Sequence, residues 1–501
     1  MKQALLELRA RLREINDVES AAAVLEWDQS TYMPAGGAEA RARHISTLGR
    51  VAHDMRRSSA LGELIDRLRG HGESLPPGNP DGALIRVARR EHERATRVPS
   101  ELVAAIKGHV AECFVTWTRA RANDDFKTMR PLLEKTLELT RRYSACFTEH
   151  DHPADPLIDL YDRGMTTESV RALFAELRKE LVPLASAIAE RPLPDDSMLR
   201  GDFSRDDEME LGREMAGRLG YDFARGRLDL THHPFMTRFS RGDVRITTRP
   251  SKDKLGEAFF ATVHESGHAL YEQGVDPELD GLPLGGGVSA GVHESQSRLW
   301  ENLVGRGRPF WQHMYPELQR RFPALLGGCS LDDFYHAINR VERSLVRVDA
   351  DEITYNLHVM VRFDLETQML EGTLSIADLP DAWNDRYEQD LGVRPPDDRV
   401  GVLQDVHWYV EKIGGLFQGY TLGNVMSAQF FAAANRARPD IPDRIAEGDF
   451  KPLRDWLTEN IYRHGGVYDP LDLVTRATGS PLRIEPYMEY LRSKFGELYR
   501  I

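Results

Sequence analysis

The feature that most constrains this chain is a short motif, H-E-x-x-H, in which His264 and His268 enclose Glu265. Apolar residues recur at helical spacing between residues 255 and 270, which predicts an α-helix there. In a helix, side chains four residues apart lie on the same face, so both imidazoles can reach one zinc ion. Glu265 then stands beside the ion, where a carboxylate can move protons. The motif therefore predicts a zinc site on a helix.

Flanking residues give this helix plausible ends. Ser251 can cap its start, and Asp253 would fall in its first turn. Gly274 followed by Pro277 is typical of a helix end. The alternative is a surface helix that carries two unrelated histidines, because a motif this short also arises by chance.

A catalytic zinc site needs a third protein ligand and an open coordination position. Glu272 lies on the same helix face, but it is roughly 12 Å from His264 along the axis, too far for metal bonds of about 2 Å. The longer motif with a third histidine on the same helix is absent from the sequence. That leaves a glutamate from a later helix, and the spacing makes Glu294 and Glu301 equal candidates.

The composition excludes several classes of protein. A net charge of −14 argues against a nucleic-acid surface, which is basic. Cys113, Cys146 and Cys329 match neither a disulfide framework nor a zinc knuckle, as expected for reduced thiols in the cytoplasm. The charged N-terminus is not a signal peptide, and no apolar run approaches the roughly 20 residues of a membrane span. We therefore expect a soluble cytoplasmic protein without nucleic-acid or membrane partners.

Helical periodicity dominates residues 1–220 and returns after Glu301. The run WDQSTYMPAGG, which begins at Trp27, contains a proline and two glycines, so we expect a loop there, either plain or functional. The one clear β signal covers residues 227–248, where alternation after Arg241 and Gly242 predicts a hairpin. A small sheet beside the zinc helix could pair with an extended peptide, or it could be only a structural flap.

Two segments in the C-terminal half could contribute to a substrate cleft. Three acidic residues follow Arg347 closely, which by composition alone indicates a solvated helix face with paired charges. His407, Trp408 and Tyr420 occur close together among glycines. A satisfied core histidine is the commoner fate of a residue such as His407, although substrate clefts are also built from such clusters.

The sequence carries a series of ordered motifs that runs nearly end to end. They are WDQSTYMPAG, His233-Pro234-Phe235, D-x-R-x-T at Asp243, Arg245 and Thr247, the H-E-x-x-H motif, His293-Glu294-Ser295-Gln296, R-x-x-A-D at Arg347, Ala350 and Asp351, G-x-x-Q-D-x-H-W from Gly401 to Trp408, and IYRHGGVYDP. Several ordered motifs on one chain are far more specific than any single one. Taken together, they make the chain resemble the carboxypeptidase Taq (thermostable carboxypeptidase 1) family of zinc metallocarboxypeptidases. One small departure is Val346, where the family usually has Ile or Asn, and we expect it to be harmless.

The resemblance implies a mainly α-helical fold similar to the neurolysin type, with a long substrate groove and a small antiparallel sheet beside the zinc site. It implies a single metallocarboxypeptidase domain over residues 1–501. Within it, we expect a helical lobe at 1–220, a small β segment at 221–250 and a zinc-site helical lobe at 251–501. It also implies zinc, for which cobalt often substitutes, and a homodimer.

The resemblance further implies a ligand set. Glu294 matches the family position of the third ligand, so Glu301 becomes a supporting or surface residue. The expected activity is hydrolysis of single amino acids from the C-terminus of peptides, by a metal-activated water with Glu265 as general base. The metal ligands are then His264, His268 and Glu294.

Roles in substrate binding also follow from the resemblance. Arg347 would bind the free C-terminal carboxylate of the peptide, with His407 and Tyr420 around the reacting carbonyl. His233 and Arg245 match motifs thought to close off the groove and limit substrate length.

Two other functions fit parts of this pattern. A zinc oligopeptidase that cuts inside short peptides would use the same site, and a comparison of free with amidated C-termini separates it from a carboxypeptidase. A non-catalytic helical scaffold with a structural metal is the other alternative. Structural zinc sites normally use four protein ligands, and chelator-sensitive hydrolysis would exclude such a scaffold.

Overall fold

The computed structural model describes residues 1–201 and 203–501, and helices account for most of them. The mainly α-helical fold predicted from the sequence is confirmed. Within the described ranges, no helix combines the length and the apolarity needed to cross a bilayer. The α-helices are, in chain order, Lys2–Thr31 (α1), Ala38–Arg56 (α2), Ser59–Ser74 (α3), Pro80–Arg97 (α4), Ser100–Ala122 (α5), Phe126–Ser144 (α6), Asp155–Tyr161 (α7), Thr167–Ala189 (α8), Arg205–Leu219 (α9), Glu257–Gly274 (α10), Ala290–Arg298 (α11), Arg308–Arg321 (α12), Pro323–Leu326 (α13), Leu331–Ile338 (α14), Tyr355–Glu371 (α15), Leu379–Leu391 (α16), His407–Val410 (α17), Gln418–Ala437 (α18), Ile441–Ala446 (α19), Lys451–Asn460 (α20), Pro470–Thr478 (α21) and Glu485–Tyr499 (α22).

The chain forms two compact units, each assembled from three segments. Unit 1 comprises Met1–Thr96, Asp196–Ile338 and Ser427–Leu482. Unit 2 comprises Arg97–Asp195, Asn339–Met426 and Arg483–Ile501. The helix with the H-E-x-x-H motif belongs to unit 1. The single domain with boundaries near residues 220 and 250 stays a prediction.

A hydrophobic cluster in unit 1 anchors the chain that leaves α10. Leu8, Leu12 and Ile15 recur at helical spacing on α1, and their side chains are buried against α3 and α4. Val275 and Leu284, which follow α10, are buried in the same cluster. The end of α10 is therefore fixed by core packing against the N-terminal helices.

A small three-stranded sheet adjoins α10 in unit 1. Its strands are Leu228–Leu230 (β1), Met236–Ser240 (β2) and Asp243–Thr248 (β3), in the order β1-β3-β2. The predicted hairpin is confirmed, because β2 and β3 pair antiparallel around the turn at residues 241–242. The sheet is nevertheless mixed, since β1 pairs with β3 in parallel. The inner strand β3 packs against α10.

The helix α10 begins later than the sequence suggested. Its first residue is Glu257, preceded by Gly256 in a left-handed conformation with φ of 98°. Ser251 and Asp253 do not cap it, so that prediction was wrong. The backbone N–H of Leu255 donates to the carbonyl of Leu199 at 2.7 Å, and Lys254 forms an isolated antiparallel bridge with Arg200, so this stretch is held outside the helix. The predicted end at Gly274 is confirmed.

The loop predicted at WDQSTYMPAGG starts further along the chain than expected. The helix α1 continues through Trp27 to Thr31, and a 3-10 turn follows at Ala35–Gly37. Trp27 is buried, with 6% of its surface exposed, so tertiary packing extends the helix past the point where composition favours a loop. The interruption spans residues 32–37, which include the proline and the two glycines.

Candidate metal centre

The helix α10 displays both motif histidines on one face, as their spacing predicted. The ring centroids of His264 and His268 are 5.0 Å apart, and the rings are nearly perpendicular. Glu265 lies next to His264 and is buried. Four-residue spacing on a regular helix therefore accounts for this half of the site.

Gly267 lets a second helix approach α10 closely. A Cβ atom at this position would lie 2.6 Å from the backbone oxygen of Gln296 and 2.6 Å from the Cα of Ser297, both on α11. Any larger residue would push the two helices apart. One of the two unspecified residues of the motif thus has a defined structural role.

This close packing brings Glu294 of α11 to the histidine pair. Its Oε2 lies 3.5 Å from Nε2 of His268 and 3.8 Å from Nε2 of His264. One ligand atom from each of the three residues lies within 4.8 Å of the others, so the group could hold a metal ion. Two imidazole nitrogens and one carboxylate oxygen form the donor set of a catalytic zinc site. The residues present therefore fit such an ion.

The protonation states of His268 and Glu294 suit metal binding, which requires deprotonated ligands. Burial lowers the pKa of His264, but the carboxylates of Glu294 and Glu301 outweigh it, so the pKa of this imidazole is raised overall. Burial lowers the pKa of His268 to about 4, so its imidazole is neutral. Burial opposes ionisation of Glu294, but Arg298 and His264 outweigh it and hold the pKa of that carboxyl well below its usual range. The Nε of Arg298 donates to Oε1 of Glu294 at 2.7 Å, which leaves Oε2 towards the histidines.

Glu301 has a different place from Glu294, although spacing alone made them equal candidates. Its Oε2 lies 2.9 Å from Nδ1 of His264, on the side of the ring away from Glu294. Arg298 and Arg306 lie 3.4 and 3.3 Å from its carboxylate. Burial opposes ionisation, but His264 and these arginines lower the pKa of Glu301 to about 2. Glu301 thus supports a candidate ligand, as the resemblance implied.

His268 has an outer partner that sequence reasoning missed. Its Nδ1 lies 2.6 Å from Nδ1 of His293, whose Nε2 is 2.9 Å from Oε1 of Glu272. Arg238 of β2 then lies 3.0 Å from Oε2 of Glu272. Spacing showed only that Glu272 is too distant to be a ligand. Nothing in the sequence links these residues, because they come from three different elements.

Glu265 has the properties of a proton acceptor near neutral pH. Burial raises the pKa of Glu265 to about 7, and the neighbouring His264 opposes the rise only in part. A general base works best when its pKa lies near the working pH. The helix therefore places a suitably tuned carboxylate beside the candidate ligands.

Arg347 lies in unit 2 and is buried, so the solvated helix face suggested by composition is wrong. It begins a 3-10 turn at Arg347–Asp349 and keeps 7% of its surface exposed. Its Nε donates to Oδ2 of Asp405 at 2.7 Å, and its Nη1 donates to the hydroxyl of Tyr355 at 3.0 Å. Burial is possible because these partners bind the guanidinium, and Asp405 comes from a segment 58 residues further along the chain.

Within unit 2, the predicted residues His407 and Tyr420 come together with Arg347. The ring of Phe417 is the shared neighbour, at 5.1 Å from the His407 ring, 5.5 Å from the Tyr420 ring and 5.2 Å from the Arg347 guanidinium. Nδ1 of His407 also bonds Oδ1 of Asp405. Three residues that the sequence analysis singled out thus form one cluster, which we call the arginine cluster.

The remaining two predicted residues lie on the sheet of unit 1. His233 is exposed in the connection between β1 and β2. Arg245 on β3 makes a bidentate bond to Asp243 at 2.8 Å for each nitrogen. Its guanidinium lies between the rings of Trp27 and Phe239, at 4.2 and 4.9 Å. The N-terminal tryptophan motif therefore holds Arg245 in place.

Comparison with known proteins gives consistent matches along the chain. The family model described as Carboxypeptidase Taq (M32) metallopeptidase matches residues 7–495. Thermostable carboxypeptidase 1 of Thermus thermophilus is 40% identical, over 99% of this chain and 98% of its own length. Carboxypeptidase 1 of Bacillus subtilis is 37% identical, over 97% of each chain. The crystal structure of M32 carboxypeptidase from Deinococcus radiodurans R1 superposes with a TM-score of 0.97 at 49% identity, covering 100% of both chains.

Proposed function

Because this chain belongs to the carboxypeptidase Taq (M32) metallopeptidase family and is a metallocarboxypeptidase, we propose that its catalytic centre is a zinc ion held by His264, His268 and Glu294. The resemblance drawn from the motifs is confirmed. The observation that carries the proposed centre is the convergence of one atom from each residue within 4.8 Å.

The donor set favours zinc as the metal. Two imidazoles and one carboxylate are the protein ligands of many zinc hydrolases, and three ligands leave a coordination position open. A zinc ion in such a site acts as a Lewis acid that makes an attacking water acidic near neutral pH. Cobalt accepts the same ligands, so we expect it to replace zinc. A structural site would normally have a fourth protein ligand.

Glu265 is the general base in this proposal. It accepts the proton of the attacking water and passes it to the amine that leaves the peptide. The support is its burial beside His264 and a pKa raised by that burial to about 7. An acceptor with this pKa can take up and release a proton in one catalytic cycle.

The arginine cluster is our candidate for binding the substrate's C-terminal carboxylate. The ionised Asp405 is shared between Arg347 and Arg362, at 2.7 and 3.4 Å, so one negative charge faces two guanidinium groups. Burial raises the pKa of the nearby Glu366 to about 7, so its carboxyl neutralises the second arginine only in part. The remaining positive charge suits a carboxylate, which a guanidinium can bind through two parallel hydrogen bonds.

Two neighbours of Arg347 could act at the reacting carbonyl. His407 and Tyr420 both carry donors of the kind that stabilise a developing oxyanion. His407 is held through Nδ1 by Asp405, and Tyr420 packs on Phe417. We propose that one or both of these residues stabilise the oxyanion that develops at the reacting carbonyl.

His233 and Arg245 are proposed to limit the length of the bound peptide. The support is their match to the family motifs and the immobility of Arg245, which is fixed by Asp243 and two aromatic rings. A rigid side chain can act as a stop for an extended substrate. Replacement of Arg245 by Ala should then broaden the range of peptide lengths that are hydrolysed.

The proposal is tested by incubating the zinc-loaded protein with a ladder of short peptides and following the products by mass. Peptides with a free C-terminus should lose one residue at a time, and a chelator should stop the reaction. The same peptides with an amidated C-terminus should react poorly. Cleavage inside both kinds of peptide would instead identify an oligopeptidase.

We further propose that the protein is a cytoplasmic homodimer that is loaded with zinc in the cell. The support for this compartment is the spacing of the three cysteines in the sequence, which matches no disulfide framework. Light scattering during size-exclusion chromatography would give the mass of the particle to compare with a chain of 56.8 kDa. Metal analysis of protein purified without added metal would identify the ion.

A further inference from the structure

We infer that His293 is a positioning residue, which fixes the imidazole of His268 in the one tautomer that can bind metal through Nε2. The inference rests on the proposed function, because it assigns a partner to one of the proposed zinc ligands. It concerns the row of side chains His268, His293, Glu272 and Arg238, which we call the His293 chain.

The direction of the hydrogen bonds is set at the outer end of the His293 chain. Oε1 of Glu272 accepts the backbone N–H of Gly287 at 2.9 Å, and Arg238 lies 3.0 Å from Oε2. A backbone N–H can only donate, so Oε1 is an acceptor. Arg238 makes an ion pair with the same carboxylate, which favours its ionised form. An ionised carboxylate can only accept, so Nε2 of His293, 2.9 Å from Oε1, must carry a proton.

The proton on Nε2 of His293 determines whether Nδ1 of the same ring donates to His268 or accepts from it. A neutral imidazole protonated on Nε2 has a lone pair on Nδ1 and can only accept there. Nδ1 of His268 lies 2.6 Å away, so it must donate its proton to His293. The Nε2 of His268 is then left with its lone pair, on the side where Oε2 of Glu294 lies at 3.5 Å. The opposite tautomer would place a proton where a metal must bind.

Packing holds His293 in this orientation. A Cβ added to Gly287 would lie 2.5 Å from Cδ2 of His293, so the glycine backbone closes directly over the ring. The centroid of the Tyr271 ring lies 5.4 Å from that of the His293 ring. These neighbours restrict the ring of His293, whose side chain stays 20% exposed.

The two proposed ligand histidines are thus supported differently. His264 donates directly to the carboxylate of Glu301 at 2.9 Å, whereas His268 reaches the carboxylate of Glu272 through His293. Outer partners of metal-binding histidines orient the ring and raise its basicity, and their loss typically weakens metal binding by about 10–100-fold. We expect a loss of this size when the relay through His293 is broken.

Three variants separate the effect of the His268–His293 hydrogen bond on Zn²⁺ binding from the effect of ring packing. His293→Phe keeps the ring shape but has no acceptor for His268. His293→Asn retains an oxygen near the position of Nδ1, so it should restore part of the affinity. Glu272→Gln removes the charge that fixes the proton on His293 and should also weaken binding. The matched control is His109→Phe, which removes a half-buried imidazole that bonds Thr136 and the carbonyl of Leu132 in unit 2.

The measurement is the dissociation constant for Zn²⁺ by competition with a chromophoric chelator, with the thermal stability of the metal-free protein recorded beside it. Absorption of the Co²⁺-loaded protein reports the ligand geometry independently of activity. We expect the dissociation constant for Zn²⁺ to rise about 10–100-fold in His293→Phe. It should rise less in His293→Asn and stay unchanged in His109→Phe.

Each outcome decides between the inference and the function on which it rests. Wild-type affinity for Zn²⁺ in His293→Phe would overturn the positioning role and leave the proposed zinc site standing. Equal losses in the Asn and Phe variants would contradict the acceptor role of residue 293. A wild-type protein without affinity for Zn²⁺ would overturn both proposals.

Discussion

Oε2 of Glu301 lies 2.9 Å from Nδ1 of His264, opposite the ring nitrogen that faces Glu294. The two glutamates therefore hold one imidazole from both sides, one as a candidate metal ligand and the other as a support. A carboxylate behind a ligand histidine fixes its tautomer and raises its basicity. The orientation of His264 thus depends on Glu301, a residue that need not contact the metal.

Glu265→Gln should keep metal binding and lose turnover. The amide has nearly the same shape but cannot accept the proton of water, and general base catalysis contributes about 10²–10⁴-fold to rates. We expect kcat to fall by this factor while the Zn²⁺ dissociation constant changes little. Near-normal turnover of a peptide substrate would remove Glu265 from the role of base.

Gly267→Ala should weaken both the fold and the metal site. The added methyl group would lie 2.6 Å from the Gln296 carbonyl oxygen, so α10 and α11 must separate and carry Glu294 away from the histidines. Overpacking of this kind costs about 1–3 kcal/mol. The matched control is Gly108→Ala on α5, where no atom beyond the adjoining helix backbone lies within 4 Å of the added carbon. That control should be neutral or stabilising in thermal unfolding, and equal behaviour of the two variants would refute the packing argument.

Arg347→Ala should discriminate between substrates by their C-terminus. Loss of a charge-assisted hydrogen bond of about 1.5–3 kcal/mol should raise the KM for peptides with a free carboxylate by roughly 10–100-fold. Amidated peptides should be affected much less. The check is steady-state kinetics on matched peptide pairs, and equal effects on both members of a pair would exclude Arg347 as the carboxylate anchor.

Glu208→Gln should change how stability depends on pH. Burial raises the pKa of Glu208 from 4.5 to about 7, more than the backbone of Ser251 lowers it. The folded protein then binds more protons than the unfolded chain between these values, so this carboxyl costs stability as pH rises through that window. Glutamine removes the cost, which is on the order of 1–3 kcal/mol above about pH 7.

The measurement for Glu208 is the unfolding temperature of variant and wild type at several pH values. The advantage of Glu208→Gln over wild type should grow between about pH 5 and about pH 8. Glu210→Gln, which replaces an exposed neighbour on α9, is the control and should show no such trend. A constant difference across this range would show that Glu208 is not held in its neutral form.

Local spacing was sufficient to predict some of these features and insufficient for others. The pairing of His264 with His268 depends only on helical periodicity, so the sequence predicted it directly. The choice between Glu294 and Glu301 could not be made from spacing, which assumes a continuous α-helix. The segment Leu299–Gly305 is instead a π-helix, whose wider turn changes the direction of Glu301.

Residues with distant partners were the least predictable. The burial of Arg347 depends on Asp405, which is 58 residues further along the chain, whereas its sequence neighbours suggested exposure. The His293 chain joins α10, α11 and β2, and no periodic pattern connects residues in different elements. Likewise, the non-helical stretch before Gly256 is held by backbone hydrogen bonds to Leu199, Gly201 and Phe203.

The proposed zinc centre is tested most directly in a crystal of the protein soaked with Zn²⁺ and measured on both sides of the zinc absorption edge. We expect one strong anomalous peak about 2 Å from Nε2 of His264, Nε2 of His268 and a carboxylate oxygen of Glu294. A map with the zinc peak elsewhere, or with none at these three residues, would contradict it.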